Sequence, residues 1–216
     1  SNDAGTGTLS SASSNTGLGW QVFDDLTSGD DNTGVGHEAL AVLTTGSNNT
    51  AIGRRTLDAN TTGSSNTAVG RLALSANTTA DNNTAIGLEA MAANTTGASN
   101  VAVGALALDA NTEGDFNVAM GFYALGAATT ADKNVAVGSG AGQSITTGAN
   151  NVAIGADAPD ANTTAGNNTA VGRHALGSNT TGEINSAFGS FAMYTNTTGY
   201  GNTAVGRSAL YTNNGN

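Results

Sequence analysis

The chain has 216 residues, with 6 basic and 16 acidic side chains, a net charge of −10, 31 glycines, one proline and no cysteine. The lack of cysteine excludes a disulfide framework and any thiolate metal site, and the acidic balance disfavours nucleic acid and anionic membrane surfaces as partners. No apolar run is long enough for a transmembrane helix and no signal peptide is visible, as expected of a mature form, an internal fragment or a protein not secreted by that route.

Residues 1–14 read as a partial N-terminal coil, because 9–14 match the back half of the unit that follows. From Asn15 onward asparagine recurs every 17 residues as far as Asn202, and glycine follows each time four places later, from Gly19 to Gly206. Residues 15–201 therefore hold eleven complete units, and 202–216 a truncated twelfth. An unbroken period of this kind marks a solenoid, in which each unit is one coil that buries its apolar face only against its neighbours.

With the asparagine as position 1, position 4 is apolar in all twelve copies, from Leu18 to Val205, and position 9 is large and apolar in all but two, Gly142 and Pro159. Alanine fills positions 3 and 8 in ten copies each. These four positions are expected to form the core, two bulky and two small side chains per coil. Seventeen residues are too few for a strand, crossover helix and strand, which takes about 30, and no helical stripe runs longer than about seven residues between glycines. The class is all-β: a repeat β-solenoid or parallel β-roll with 17-residue coils.

Within a unit, positions 2–4 are expected to form a short strand, as in Thr67-Ala68-Val69, turned by the position 5 glycine, which accepts positive φ. Positions 8–10 would form a second side. The Asn-Thr-Thr-Gly stretch, as at 60–63, would make the return turn, since Asn and Gly tolerate left-handed conformations. Stacking the coils would set amide and hydroxyl groups in ladders. So thin a core needs hydrogen bonds between coils, and packing between chains is expected to add to them. The expected form is a homo-oligomer, a trimer; the alternative is a head-to-tail filament, because both ends break off in mid-coil and leave coil edges bare.

The Asn-Thr-Ala-Val-Gly stretches at 66–70, 168–172 and 202–206 resemble the coil motif in head domains of trimeric autotransporter adhesins. The run Asn202-Thr-Ala-Val-Gly-Arg-Ser-Ala-Leu-Tyr-Thr-Asn is still more similar to 17-residue arrays in phage tail fibres and bacterial surface proteins. The likeness spans about residues 15–213. It implies a left-handed parallel β-roll shared by three chains, and an extracellular, non-enzymatic role in adhesion or host recognition, at a cell surface or in a virion fibre.

Departures from the consensus mark candidate surfaces. Unit 134–150 carries Gly138-Ser-Gly-Ala-Gly142 and the next unit carries Pro159, which reads either as a bend, groove or contact site or as a tolerated defect. Among the aromatic residues, Phe122, Tyr123, Phe191, Tyr194 and Tyr211 form the candidate binding or interface surface, and Tyr194 and Tyr211, both at position 10, should stack about 4.8 Å apart. Such a ladder offers apolar faces to the sugar rings of cell-surface glycans, or seals an interface between chains.

No catalytic residue, cofactor site or metal site is expected. His37 and His174 lie eight units apart, roughly 38 Å at one strand spacing per coil, and both are expected to be solvated. Asp115 and Asp132 share position 16 in successive units, as a solvated face or a weak cation site. Arg54 and Arg71 would repel if stacked and should splay toward acidic groups. Nine Asn-x-Ser/Thr sequons arise from the repeat, available for glycosylation only where the asparagine faces outward. Three functions follow: an adhesive or host-recognition fibre segment; a self-assembling extracellular filament subunit; and ice binding through the columns Thr61/Thr78/Thr95 and Thr62/Thr79/Thr96. Ice binding ranks last, because adjacent strand threonines point to opposite sides.

Overall fold

A computed structural model describes residues 11–212. Most of the partial N-terminal coil and the last four residues of the truncated one lie outside the described residues. The chain is an all-β solenoid of 17-residue coils. Among the described residues twelve three-residue strands, β1 (Thr16–Leu18) to β12 (Thr203–Val205), each occupy positions 2–4 of their coil and form a single parallel sheet in sequence order. Every strand pairs in register with its neighbours, Thr50 with Thr67, Ala51 with Ala68 and Ile52 with Val69, for example. Coils are numbered 1 (from Asn15) to 12 (from Asn202).

Parallel strands normally need long crossovers; here one circuit of the coil serves instead, and backbone hydrogen bonds join successive coils well outside the strands. Position 7 donates to the preceding coil (Glu38 N–H to Trp20 O, 2.9 Å), position 9 to the following one (Leu40 N–H to Thr56 O, 3.1 Å) and position 13 likewise (Thr44 N–H to Thr61 O, 2.9 Å). The threonine hydroxyls of position 13 repeat this step, Thr44 Oγ1 donating to Thr61 O at 2.9 Å.

Position 1 carries an unbroken amide ladder. The side-chain oxygen of each asparagine accepts the backbone N–H of the next, at 2.8–3.0 Å, in eleven successive steps from Asn15 to Asn202. The same side chain donates Nδ2 to the position 15 carbonyl of its own coil, as Asn66 does to Ala80 O at 2.8 Å. A second ladder runs at position 12 through Asn60, Asn77, Asn94 and Asn111. It stops where coil 7 has Ala128, and Asn111 Oδ1 is left buried without a partner. Coils 1, 2 and 8 fill that position with Leu26, Leu43 and Ile145 instead.

The core is narrower than the sequence pattern implies. Alanines of position 3, alanines of position 8 and the bulky residues of position 9, such as Leu57, Leu74, Met91 and Leu108, are fully buried. Position 4 is not: Ile52, Ile86 and Met120 are 41%, 40% and 43% exposed, and Val69 is half-buried. The expectation that position 4 belongs to the core is therefore corrected. In a three-residue strand alternate side chains face opposite sides, so an inward position 3 sends positions 2 and 4 outward, and the space inside position 3 admits little more than a methyl group. Where glycine replaces that alanine, at Gly17 and Gly34, the neighbouring interior is filled by Val22 and Phe23; an added Cβ on Gly34 would sit 2.7 Å from Val22 Cγ1.

Positions 8–10 form turn rather than a second strand. The left-handed residues are also not those of the Asn-Thr-Thr-Gly stretch but positions 7, 9 and 17, as at Leu72 (φ 59°), Leu74 (φ 52°) and Ser65 (φ 59°). Left-handed backbone crowds a β-branched side chain. Outside coils 8 and 9, position 9 accordingly takes leucine, methionine or phenylalanine, and in no coil valine or isoleucine. In coil 8, Gly140 and Gly142 occupy positions 7 and 9 and keep the same left-handed conformation (φ 65° and 62°). Pro159 in coil 9 cannot adopt it, and the buried core divides into two clusters there, while the strand register passes through unbroken. Position 5 glycines have φ between 124° and 142°, and a Cβ on Gly53 would lie 2.6 Å from Gly70 O.

Leu74→Ala is expected to lower stability by about 2–5 kcal/mol, and Gly53→Ala to be strongly destabilising, whereas Arg71→Ala on the surface should stay within about 0.5 kcal/mol. Urea denaturation followed by circular dichroism checks the order; equal tolerance of all three would show that the faces are misassigned.

Candidate functional site

Positions 7 and 10 flank the left-handed turn at position 9, so their side chains line one outward face along the rod. Variation concentrates there: position 7 includes Gln21, Glu38, Arg55, Leu72, Tyr123, His174 and Phe191, while position 10 is often small, as at Ala41, Ser75, Gly126 and Gly177. Large residues at 7 beside small ones at 10 leave shallow depressions. Two adjoin in coils 1–4, of about 300 and 510 Å³, sharing Val42, Arg55 and Asp58.

Toward the C-terminal end the same face carries an aromatic platform. Tyr194 and Tyr211 stack with ring centroids 5.3 Å apart and planes at 30°, close to the stacking expected from their shared position. Phe191 meets Tyr194 edge-on at 5.5 Å, and Arg173 lies 5.7 Å over the Phe191 ring, within cation–π range. His174 belongs to this cluster, 5.3 Å from Phe191 and 6.0 Å from Tyr194, with Nδ1 buried and without a hydrogen-bond partner. That corrects the reading of His174 as simply solvated. The Tyr194 ring spreads over Gly177, where a Cβ would be 2.8 Å from Cε2, so the glycine one coil below makes room for the platform.

Phe122 and Tyr123 form a separate pair, 6.3 Å apart, in coil 7, with the Tyr123 ring over Gly126. Four coils separate them from Phe191, roughly 19 Å, so the five residues singled out from sequence form two groups. Trp20 and His37 pair at 4.8 Å near the other end. The two histidines do not share a site.

The acidic columns have structural employment. Asp30, Asp81, Asp115 and Asp132, at position 16, accept backbone N–H groups of the preceding coil, as Asp132 Oδ1 does from Asp115 N–H at 2.8 Å. Among the described residues no group of three or more His, Asp or Glu side chains is placed to hold a metal. Arg71 reaches across to Glu89 of the next coil at 2.6 Å, splayed as expected. Of the nine sequons, those at Asn60, Asn77, Asn94, Asn162, Asn179 and Asn196 use buried asparagines, and only Asn48, Asn82 and Asn167, all at position 17, are exposed. Among the described residues no helix is long and apolar enough to cross a membrane.

Three aspartates of position 10 are held above the usual carboxylate range by burial. For Asp58 burial outweighs the opposing pull of Arg55, 2.7 Å away; for Asp160 it outweighs its own backbone hydrogen bond and His174. For Asp109 burial leads, its own N–H opposes, and Glu89 adds to the rise. Comparison with known proteins gives no match to a family model, a curated protein or a solved structure.

Because Asp109 holds its proton more tightly folded than unfolded, its contribution favours the fold below the ordinary carboxylate pKa of about 4 and is lost as pH rises through the elevated folded value. Asp109→Asn should therefore stabilise the protein at pH 7, with the gain shrinking as the pH approaches 4. Denaturation midpoints at the two pH values test this, and a gain that grows on acidification would contradict it.

Proposed function

We propose that the chain is a non-enzymatic segment of an extracellular fibre, at a cell surface or on a virion, whose rigid coils present an adhesive or host-recognition surface. The observation that carries this reading is the division of labour within the repeat. Positions 1, 3, 5, 8, 9 and 13 are nearly constant and are used to close and stack the coils, whereas the chemically diverse residues stand outward at 6, 7, 10, 16 and 17. The repeat's likeness to adhesin heads and tail-fibre arrays points the same way.

The ligand class that fits best is a glycan. The exposed Tyr211 ring and the outward edges of Tyr194 and Phe191 offer apolar surface to a sugar, while Arg173, which lies over the Phe191 ring, can donate to its hydroxyls. A self-assembling head-to-tail filament is the second reading, supported by the in-register parallel sheet, whose translation from strand to strand a further copy could continue. Ice binding gains little: the position 13 hydroxyls, such as Thr61 Oγ1, are bonded to the next coil, at Thr78 O, which leaves position 14 as the outward threonine column of that turn.

Wild-type protein applied to a glycan array and to immobilised cells is expected to bind, and Phe191→Ala/Tyr194→Ala to bind about tenfold more weakly with an unchanged circular dichroism spectrum. A wild-type chain that binds neither, or a double variant that binds as well as wild type, would remove the adhesive reading.

A further inference from the structure

Position 4 faces outward in every coil, and its size alternates along the rod. Leu18, Ile52, Ile86, Met120, Ile154 and Phe188 occupy the odd-numbered coils, and valine occupies every even-numbered one. The exposure follows: the larger residues stand at 38–58%, while the valines of coils 2 to 10 are half-buried between them. No other position alternates in this way. Position 2 runs through threonine in coils 1–5 and valine in coils 6–9, and position 9 is bulky in both odd and even coils. A duplicated 34-residue unit would impress its period on every column, so the alternation belongs to the surface of position 4 alone.

The fold does not require it, because the core lies on the other side of the strand. A ridge of knobs and gaps repeating every two coils, about 9.6 Å, is instead what a facing array of the same period would need. The strand face is also free of charge. Positions 2–4 carry no charged residue in any coil, although the chain holds 22 (6 basic and 16 acidic). Two copies of net charge −10 repel least where they meet through this face. Twelve coils at about 4.8 Å by a strand about 10 Å wide give roughly 570 Å² per copy, or about 1,100 Å² for a pair, just above what a specific interface needs.

We propose that the chain pairs with a second copy of itself through the strand face, the rods antiparallel, with the large residues of position 4 in one copy seated against the valines of the other. The geometry selects this arrangement. A twofold axis along the strand direction sets position 4 on position 4 and, at full overlap, coil n on coil 13 − n, so that odd always meets even. Ile86 then faces Val137, Met120 faces Val103 and Ile154 faces Val69. A twofold axis along the rod would instead set position 4 against position 2, and a threefold axis along the rod would bring equal coils to one level; neither uses the alternation. Pairing of this kind stands independently of glycan binding at the aromatic platform.

Sedimentation equilibrium at micromolar concentration is expected to give a dimer. Filling the gaps with Val69→Ile, Val103→Ile, Val137→Ile and Val171→Ile adds apolar surface, and general stickiness would tighten the complex. Interdigitation predicts the reverse, a dissociation constant raised about tenfold or more by overpacking. A variant with the phase exchanged, isoleucine at even coils and valine at odd ones, should dimerise again, which separates lost fit from lost folding. A monomer, a trimer, or a filled variant that associates as tightly as wild type would overturn the proposal; a monomer with thermal hysteresis would assign the face to ice. Glycan binding is read in a separate assay, so failure here leaves that function standing.

Discussion

The asparagine of position 1 is the constraint from which the rest of the architecture follows. Its side chain is buried, and a buried amide without partners would cost several kcal/mol. Here the oxygen takes the N–H of the next asparagine, while Nδ2 reaches back to the position 15 carbonyl of its own coil. One residue thus closes the circuit and fastens it to the next. Aspartate would lack the donor, and leucine would leave both an N–H and a carbonyl unpaired. An inserted or deleted residue would carry one asparagine out of reach of the next, which accounts physically for a period of 17 kept without error from Asn15 to Asn202.

A polar ladder inside the coil leaves little room for anything else. The interior is shared among asparagine, two alanines and one bulky residue, so the bulky residue must come from a point where the chain turns inward sharply, and position 9 does so in left-handed backbone. Such conformations cost of order 1–2 kcal/mol per residue, and they recur three times per coil. They persist because burial of the leucine or methionine and the hydrogen bonds between coils determine the path on all sides. Gly142 of coil 8 fits this account: the residue that loses the core side chain there also removes the strain.

Much of this was legible in the sequence. The period, the strand at positions 2–4, the positive φ at position 5 and the stacking of asparagines follow from residue types that have few other uses. The side of the strand that faces inward was not, because three residues are too short for alternation to fix a phase, and valine beside alanine invites the larger residue into the core. The left-handed leucines were hidden as well, since nothing in Arg71-Leu-Ala-Leu74 carries the glycine or asparagine signature of such backbone. For the aromatic platform the sequence showed Phe191, Tyr194 and Tyr211 but not His174, whose partners lie 17 and 20 residues away at positions 7 and 10, visible only once the two columns are known to share a face.

Translation along the rod turns every column of the repeat into a surface, and a surface can be specialised without altering the coil beneath it. The strand face and the face of positions 7 and 10 are separated by the glycine turn at position 5, so each can vary on its own. The first is uncharged and regular, with its position 4 column graded in size; the second is irregular, charged and aromatic. A regular surface suits a partner with the same translation, another rod, while an irregular one suits a ligand met at a single place. The contrast between columns, rather than any one residue, therefore separates assembly from recognition in this chain, and it does so because the asparagine ladder leaves both surfaces free of any role in holding the coil closed.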